Sequence, residues 1–317
     1  MKKISTSSIA TPCDSAESDK TNYLFQKATG HIPYNMTNDY IFRIVLQKNE
    51  DSRKCLIRDL LHLKDGEVVS ATVLNPIDPG DAASAKETRM DIRVELNNHA
   101  RLNIEMQVTD YHDWPERSLT YLAREFNSLK HGEDYKDVPP VYQIAFLNYT
   151  LFPEDPEFYA TYRMINVKTG KVYSDKYTLS VIELNHIDIA TEDDHRYGID
   201  KWAMLLKATT WEEVKMITEG NNALASTAES IFLSNEDYNI RKVALEREEA
   251  RIRQEKKDEL IKQQAAQIND QAAQINDQAA HINDQAAQIN DQAAQINDQA
   301  AEIERLKEII ASAGLKA

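Results

Sequence analysis

The chain has 317 residues, 42% hydrophobic and 28% charged, a length that sustains one large domain or two small ones with a real core. Eight glycines argue against collagen-like, glycine-linker and turn-dense all-β chains, and two cysteines, Cys13 and Cys55, exclude a disulfide framework or a Cys-rich zinc site. A formal net charge of -15 counts against strong long-range attraction of a polyanion.

Residues 1–30 are polar and rich in Ser and Thr, without periodicity, and read as a flexible N-terminal arm. Lys2 and Lys3 are followed by no apolar run, so no signal peptide is expected, and no stretch is apolar enough to span a membrane. A cytoplasmic protein is the expectation. Residues 31–185 alternate helical and strand patterns and form the predicted core domain, and residues 186–235 read as a helical extension.

Inside the core, Met90, Ile92, Val94 and Leu96 alternate with Asp91, Arg93 and Glu95. After Asn97-Asn98-His99, Leu102, Ile104, Met106 and Val108 alternate with Asn103, Glu105 and Gln107. Two period-two runs around an Asn-rich turn predict a β-hairpin over Thr88 to Thr109. Both apolar faces must share one side, so opposed residues have numbers of equal parity. A turn centred on Asn98 then sets Ile92 opposite Ile104, Val94 opposite Leu102 and Glu95 opposite Arg101, a favourable cross-strand ion pair. It also sets Asp91 opposite Glu105, with Gln107 on the same face. Two facing carboxylates repel. Either a hard divalent cation offsets the repulsion, since Mg²⁺ is typically held by one or two carboxylates plus phosphates, or this face meets bulk water.

Downstream, Trp114-Pro115 predicts a helix start, because Pro suits the first turn. Arg117 and Tyr121, at i and i+4, share a face of that helix. They read either as a phosphate contact with a supporting Tyr, or as a surface Arg beside a core Tyr. His62, His112 and His131 make no closely spaced ligand pair and read as surface or turn residues.

Residues 236–317 read as one long helix. The unit Gln-Ala-Ala-Gln-Ile-Asn-Asp starts at Gln264 and recurs every seven residues, with His281 replacing one Gln. This is the coiled-coil period, with Ala265 and its equivalents at position a and Ile268, Ile275, Ile282, Ile289, Ile296 and Ile303 at d. The seam is thin, since Ala buries little, and Asn and Gln at e and g set no charge code. A homo-oligomer of open number is predicted, against the alternative of a solvated helix left by repeat expansion. The full repeats add five aspartates with no Lys or Arg, so most of the acidic excess lies before them.

The ordered motifs resemble a known family. Asp91 followed by Ile104-Glu105-Met106-Gln107 resembles the Asp…Glu-x-Lys core of the PD-(D/E)xK nucleases, in the Glu-x-Gln variant of the recombination-promoting nuclease, or PD-(D/E)xK family transposase, branch. Thr37-Asn38-Asp39-Tyr40-Ile41-Phe42 resembles the family's opening motif, and Arg117 with Tyr121 its Arg-and-Tyr pattern. His131-Gly132-Glu133-Asp134-Tyr135, Pro140-Val141-Tyr142-Gln143-Ile144, Trp202, Leu205-Leu206 and Leu233-Ser234 resemble its later landmarks, over roughly residues 31 to 250.

The resemblance implies an α/β restriction-endonuclease-like core, a four-stranded mixed sheet flanked by helices, with the active site on the hairpin. It implies Asp91 and Glu105 as ligands of Mg²⁺ or Mn²⁺, and Gln107 beside the attacking water where the superfamily has Lys. Lys86, Arg89 or Arg117 could supply the missing cation, and the sequence does not choose between them. Asp39 is the expected additional acid from the first helix, or else a helix-start residue that satisfies backbone N–H groups. The implied function is a Mg²⁺-dependent DNA endonuclease linked to recombination or element mobility. The alternative is a weakened nuclease fold that acts as an oligomeric scaffold through its heptads.

Overall fold

In a computed structural model of the chain, the structure describes residues 22–74, 77–78, 88–89, 91–97, 99–127 and 132–312. The chain divides into two compact units, Met1–Arg251 and Ile252–Ala317.

The first unit opens with a short helix α1 (residues 22–27), inside the stretch that the sequence reads as an arm. One aromatic anchors it: Phe25 is buried, edge-on to Trp211 at 6.1 Å and near Phe232 at 6.0 Å. A single apolar anchor leaves no periodicity to detect. Helices α2 (Asp39–Lys48) and α3 (Glu50–Leu60) follow. Asn38 caps α2, its side chain accepting from Tyr40 N and Ile41 N, and Asn49 caps α3 through Ser52 N. Next come β1 (Ala71–Val73), β2 (Ile77–Asp78), β3 (Thr88–Arg89), β4 (Ile92–Leu96) and β5 (Ala100–Gln107).

Helix α4 (Trp114–Phe126) begins with Pro115 in its first turn, as its sequence predicts. It leads to β6 (Val141–Leu147), β7 (Tyr159–Arg163) and β8 (Tyr177–Glu183). The region expected to be helical carries α5 (Glu192–Tyr197), α6 (Ile199–Lys207), α7 (Trp211–Thr218) and α8 (Asn222–Glu236). Asp237 ends α8, and its carboxylate accepts from Asn239 N and Ile240 N to start α9 (Tyr238–Ser312).

The main sheet has 6 strands in the order β1-β4-β5-β6-β8-β7. Its middle four, β4-β5-β6-β8, match the four-stranded expectation, and β1 and β7 extend it as antiparallel edges. The β4–β5 pair is antiparallel, whereas β5–β6 and β6–β8 are parallel. Parallel neighbours need a crossover, which α4 supplies between β5 and β6. The hairpin is shorter at its start than predicted: β4 begins at Ile92, while Thr88–Arg89 pair with Ile77–Asp78 in a separate ribbon.

Even-numbered residues of the central strands form one apolar face. Ile92, Val94, Leu102, Ile104, Ile144, Phe146 and Ile182 are buried there with Phe42, Leu46, Leu56 and Trp202. Phe42 meets Phe146 edge to face at 5.9 Å. The odd-numbered face lies under α4, where Trp114, Ala145, Leu147 and Val181 make a smaller apolar cluster. Among the described residues, no helix is long and apolar enough to cross a membrane.

The second unit is helical from its start to Ser312. Its Ile268, Ile275, Ile282 and Ile289 side chains are each 63% exposed.

Candidate active site

The hairpin register is the one that the sequence predicts. Ile92 pairs with Ile104, Val94 with Leu102 and Glu95 with Arg101. The Glu95–Arg101 ion pair, however, is replaced: Arg101 reaches Glu125 on α4 at 3.7 Å, and Arg93 donates to the same carboxylate at 3.0 Å. Glu125 is buried, and an acid out of water draws the nearest cations.

Asp91 stands just before β4 and Glu105 near the end of β5. The Asp91 amide donates to Glu105 Oε1 at 3.3 Å, and Asp91 Oδ2 accepts from Met106 N at 2.9 Å. The two acids therefore meet across the hairpin. Bulk water does not separate them: Glu105 is 1% exposed, because α4 covers this face. Its Oε1 also accepts from Asn103 Nδ2 at 3.0 Å. Burial pushes the Glu105 carboxyl up to about 8, the Asp91 carboxylate adds to the shift, and Arg117 and Asn103 oppose it. Burial likewise raises Asp91, against the pull of the Met106 amide and Arg43.

Gln107 and Arg117 complete this corner. Gln107 Nε2 donates to Glu105 Oε2 at 3.0 Å, and its Oε1 accepts from Arg117 Nη1 at 3.4 Å. Arg117 Nη2 lies 3.5 Å from Glu105 Oε2, and its Nε donates to the Tyr121 hydroxyl at 2.9 Å. Of the three candidate cations, Arg117 is the one held here, while Lys86 and the Arg89 side chain lie outside what is described. Burial works against the Arg117 charge, but the Glu105 carboxylate and the Tyr121 oxygen outweigh it and raise its pKa. Tyr121 is raised too, first by burial and then by Glu105. Arg117 and Tyr121 are thus neither a stray surface Arg nor a purely apolar core Tyr.

Asp39 does not cap α2, since Asn38 performs that task. Its carboxylate instead pairs with Arg247 of α9 at 2.6 Å. Arg43, one turn further along α2, lies 3.3 Å from Asp91 Oδ1. Asp39, Asp91, Gln107, Arg117 and Arg247 line one cleft of about 310 Å³. A larger cavity, about 600 Å³, opens at the other end of the strands around His62, Tyr142, Tyr159 and Ser180, and holds no facing acids. Of the three histidines, His62 occupies a left-handed turn and stacks on Tyr197 at 4.0 Å, and His112 is an exposed turn residue. His131 lies outside the described residues.

The donor set suits a hard cation. Asp91 accepts two hydrogen bonds for about four lone-pair positions, so oxygen capacity remains. Among the described residues no three His, Cys, Asp or Glu side chains converge, but one or two carboxylates suffice where waters and phosphate oxygens complete the shell.

Arg43, Asn103 and Arg247 were not singled out by sequence reasoning. Arg43 follows Asp39 by four residues and Asn103 precedes Glu105 by two, so both share a face with a candidate acid. Arg247 had no local signal, since 208 residues separate it from Asp39.

A mixed sheet with an acid pair across its central hairpin, Glu105 buried and Asp91 half-buried, is the PD-(D/E)XK-type nuclease fold. The chain matches the family model of the PD-(D/E)XK nuclease family transposases over residues 36–298, and it belongs to that family. Membership implies nuclease or transposition-related activity and contact with DNA. No curated relative and no solved structure matches it.

Proposed function

We propose that the protein is a metal-dependent DNA endonuclease that hydrolyses phosphodiesters in recombination or element mobility. The observation that carries this reading is the Glu105 carboxylate, nearly excluded from solvent, accepting from the Asp91 amide and 3.5 Å from Arg117, directly behind the cleft that Asp91 and Arg117 line. A structural role alone gives no reason to bury an acid beside another, because the Asp91 charge adds to the cost of ionising the buried Glu105.

Asp91 and Glu105 would hold Mg²⁺ or Mn²⁺, with Asp39 as an additional acid near the mouth. A bound ion would lower the pKa of a water nucleophile and neutralise charge on the phosphodiester. Gln107 ties down Glu105 Oε2 and fixes its direction. Arg117 supplies the positive charge that Gln107 lacks in the place of the superfamily Lys, and Tyr121 steadies its guanidinium. Because the chain is acidic overall, DNA association should be weak, salt-sensitive and metal-dependent.

The decisive experiment is supercoiled plasmid cleavage by wild type, Asp91→Ala and Glu105→Ala with Mg²⁺ or Mn²⁺. Metal-dependent nicking lost in both variants supports the reading. Equal nicking by all three proteins, or none with either metal, sinks it.

Through its heptads the chain is further proposed to form a homo-oligomer. The isoleucine stripe on α9, exposed over half its surface at every d position, favours a second copy as its cover.

A further inference from the structure

We propose that Arg247 is a DNA-phosphate contact of this cleft, delivered by the first turns of α9, and that its ion pair with Asp39 is the DNA-free arrangement. The inference rests on the reading of the cleft as a DNA site and names a residue outside the hairpin and α4 that serves it.

The fold holds α9 against the site by means that do not involve the Arg247 side chain. Asn38, the cap of α2, donates from Nδ2 to the Ala244 carbonyl at 3.2 Å. Ala244 and Ile240 are buried in the main core. One turn on, this fixes Arg247 at the cleft, with its guanidinium over the Tyr40 ring at 5.7 Å and 2.6 Å from Asp39. A structural anchor would be buried. Arg247 is instead 40% exposed and Asp39 34%, so solvent and a phosphate can reach the pair.

The cations paired with the three candidate acids are graded by exposure, and Arg251, which also lines the cleft, pairs with Glu248 of its own helix. Arg117 and Arg43 sit on Glu105 and Asp91, at 30% and 22% exposure. Arg247 is the outermost of the three, paired with the outermost acid. In a chain of net charge -15, a polyanion must be met by local cations, and a guanidinium fork suits a phosphate bidentately. When a phosphate approaches, Arg247 exchanges one anionic partner for another without leaving its place over Tyr40. The exchange also frees the Asp39 carboxylate.

The test measures binding of a fluorescein-labelled DNA duplex to the full chain by anisotropy, without divalent ion and again with Ca²⁺, from about 20 to 100 mM salt. Three variants are compared with wild type: Arg247→Ala, Arg247→Lys and Asp39→Asn. If Arg247 holds a phosphate, Arg247→Ala weakens binding about tenfold and lowers the slope of log K against log salt by about 0.9. Arg247→Lys retains most of the slope. Asp39→Asn breaks the same ion pair but keeps the cation, and so binds as tightly as wild type or more tightly. Equal weakening by Arg247→Ala and Asp39→Asn would mean that the pair only anchors α9, and overturns the proposal. So does an unchanged slope in Arg247→Ala while wild type binds, which leaves the nuclease reading standing. Failure of wild type to bind at any salt, with Ca²⁺ added as well as without divalent ion, overturns the DNA reading of the cleft and this contact with it.

Discussion

Arg117 holds its guanidinium 3.5 Å from the Glu105 carboxylate, reaching it from the helix that follows the hairpin. As the proposed cation of the site, Arg117 thus arrives from a different element from the strand on which the resemblance places the superfamily Lys. Arg117→Ala is expected to lower the rate of plasmid cleavage about a hundredfold, as loss of one preorganised charge donor does. Arg117→Lys should recover little, because an ammonium cannot bridge Glu105, Gln107 and Tyr121 together. Cleavage rates of the two variants check this, and a near-wild-type Arg117→Ala would remove Arg117 from the site.

Glu105 gives a pH signature in the metal-free protein. Burial pushes its folded carboxyl up to about 8 from an ordinary value of 4.5. Between those values the folded state binds more protons than the unfolded chain, so stability falls as pH rises and levels off above the folded pKa. The Tm of the metal-free protein should therefore drop from about pH 5 to about pH 8. Glu105→Gln should flatten the profile. A Tm that rises across this window, with Glu105→Gln showing the same rise, would contradict the assignment.

Gln107 separates orientation from charge. Gln107→Ala deletes the hydrogen bond to Glu105 Oε2 and should cost about ten- to a hundredfold in activity, as loss of a ligand's supporting partner does. Gln107→Lys restores the superfamily cation beside Glu105, favours the ionised carboxylate and should move the acidic limb of the pH–rate profile downward. An unmoved limb in Gln107→Lys would show that Gln107 does not control the Glu105 charge.

Glu125 is a purely structural acid. It is buried, and Arg93 and Arg101 converge on it from two strands. Glu125→Ala leaves those cations without their shared partner and should destabilise the fold by about 3 kcal/mol, with both arginines partly hydrated. Urea unfolding measures the change, and a loss under about 0.5 kcal/mol would refute the account.

Removal of the heptads isolates their role. A chain truncated after Lys262 should be monomeric by light scattering where the full chain is oligomeric. An identical mass per particle for both would end the homo-oligomer proposal.

The hairpin was legible from sequence because its information is local. Period-two alternation and a short turn fix which residues oppose one another, and a one-residue slip would turn Ile92 and Ile104 out of the core. The Asp91–Glu105 meeting and the side shared by Gln107 follow from that register alone. The long helix was legible for the same reason, since a seven-residue repeat declares its own period. The two-residue ribbon of Thr88–Arg89 and the helix at residues 22–27 were not, because neither is long enough to carry a pattern.

What only the tertiary structure decided is the environment of the acids. Alternation names a polar face but cannot say what covers it; α4 does so and makes Glu105 a buried carboxylate instead of a solvated one. Alternation likewise cannot choose among distant cations. Arg43 reaches Asp91 across 48 residues and Arg247 reaches Asp39 across 208, by the packing of α2 and α9. Register is set by neighbours in the chain and so is written there. Burial and ion pairing are set by elements that meet only once the chain has folded.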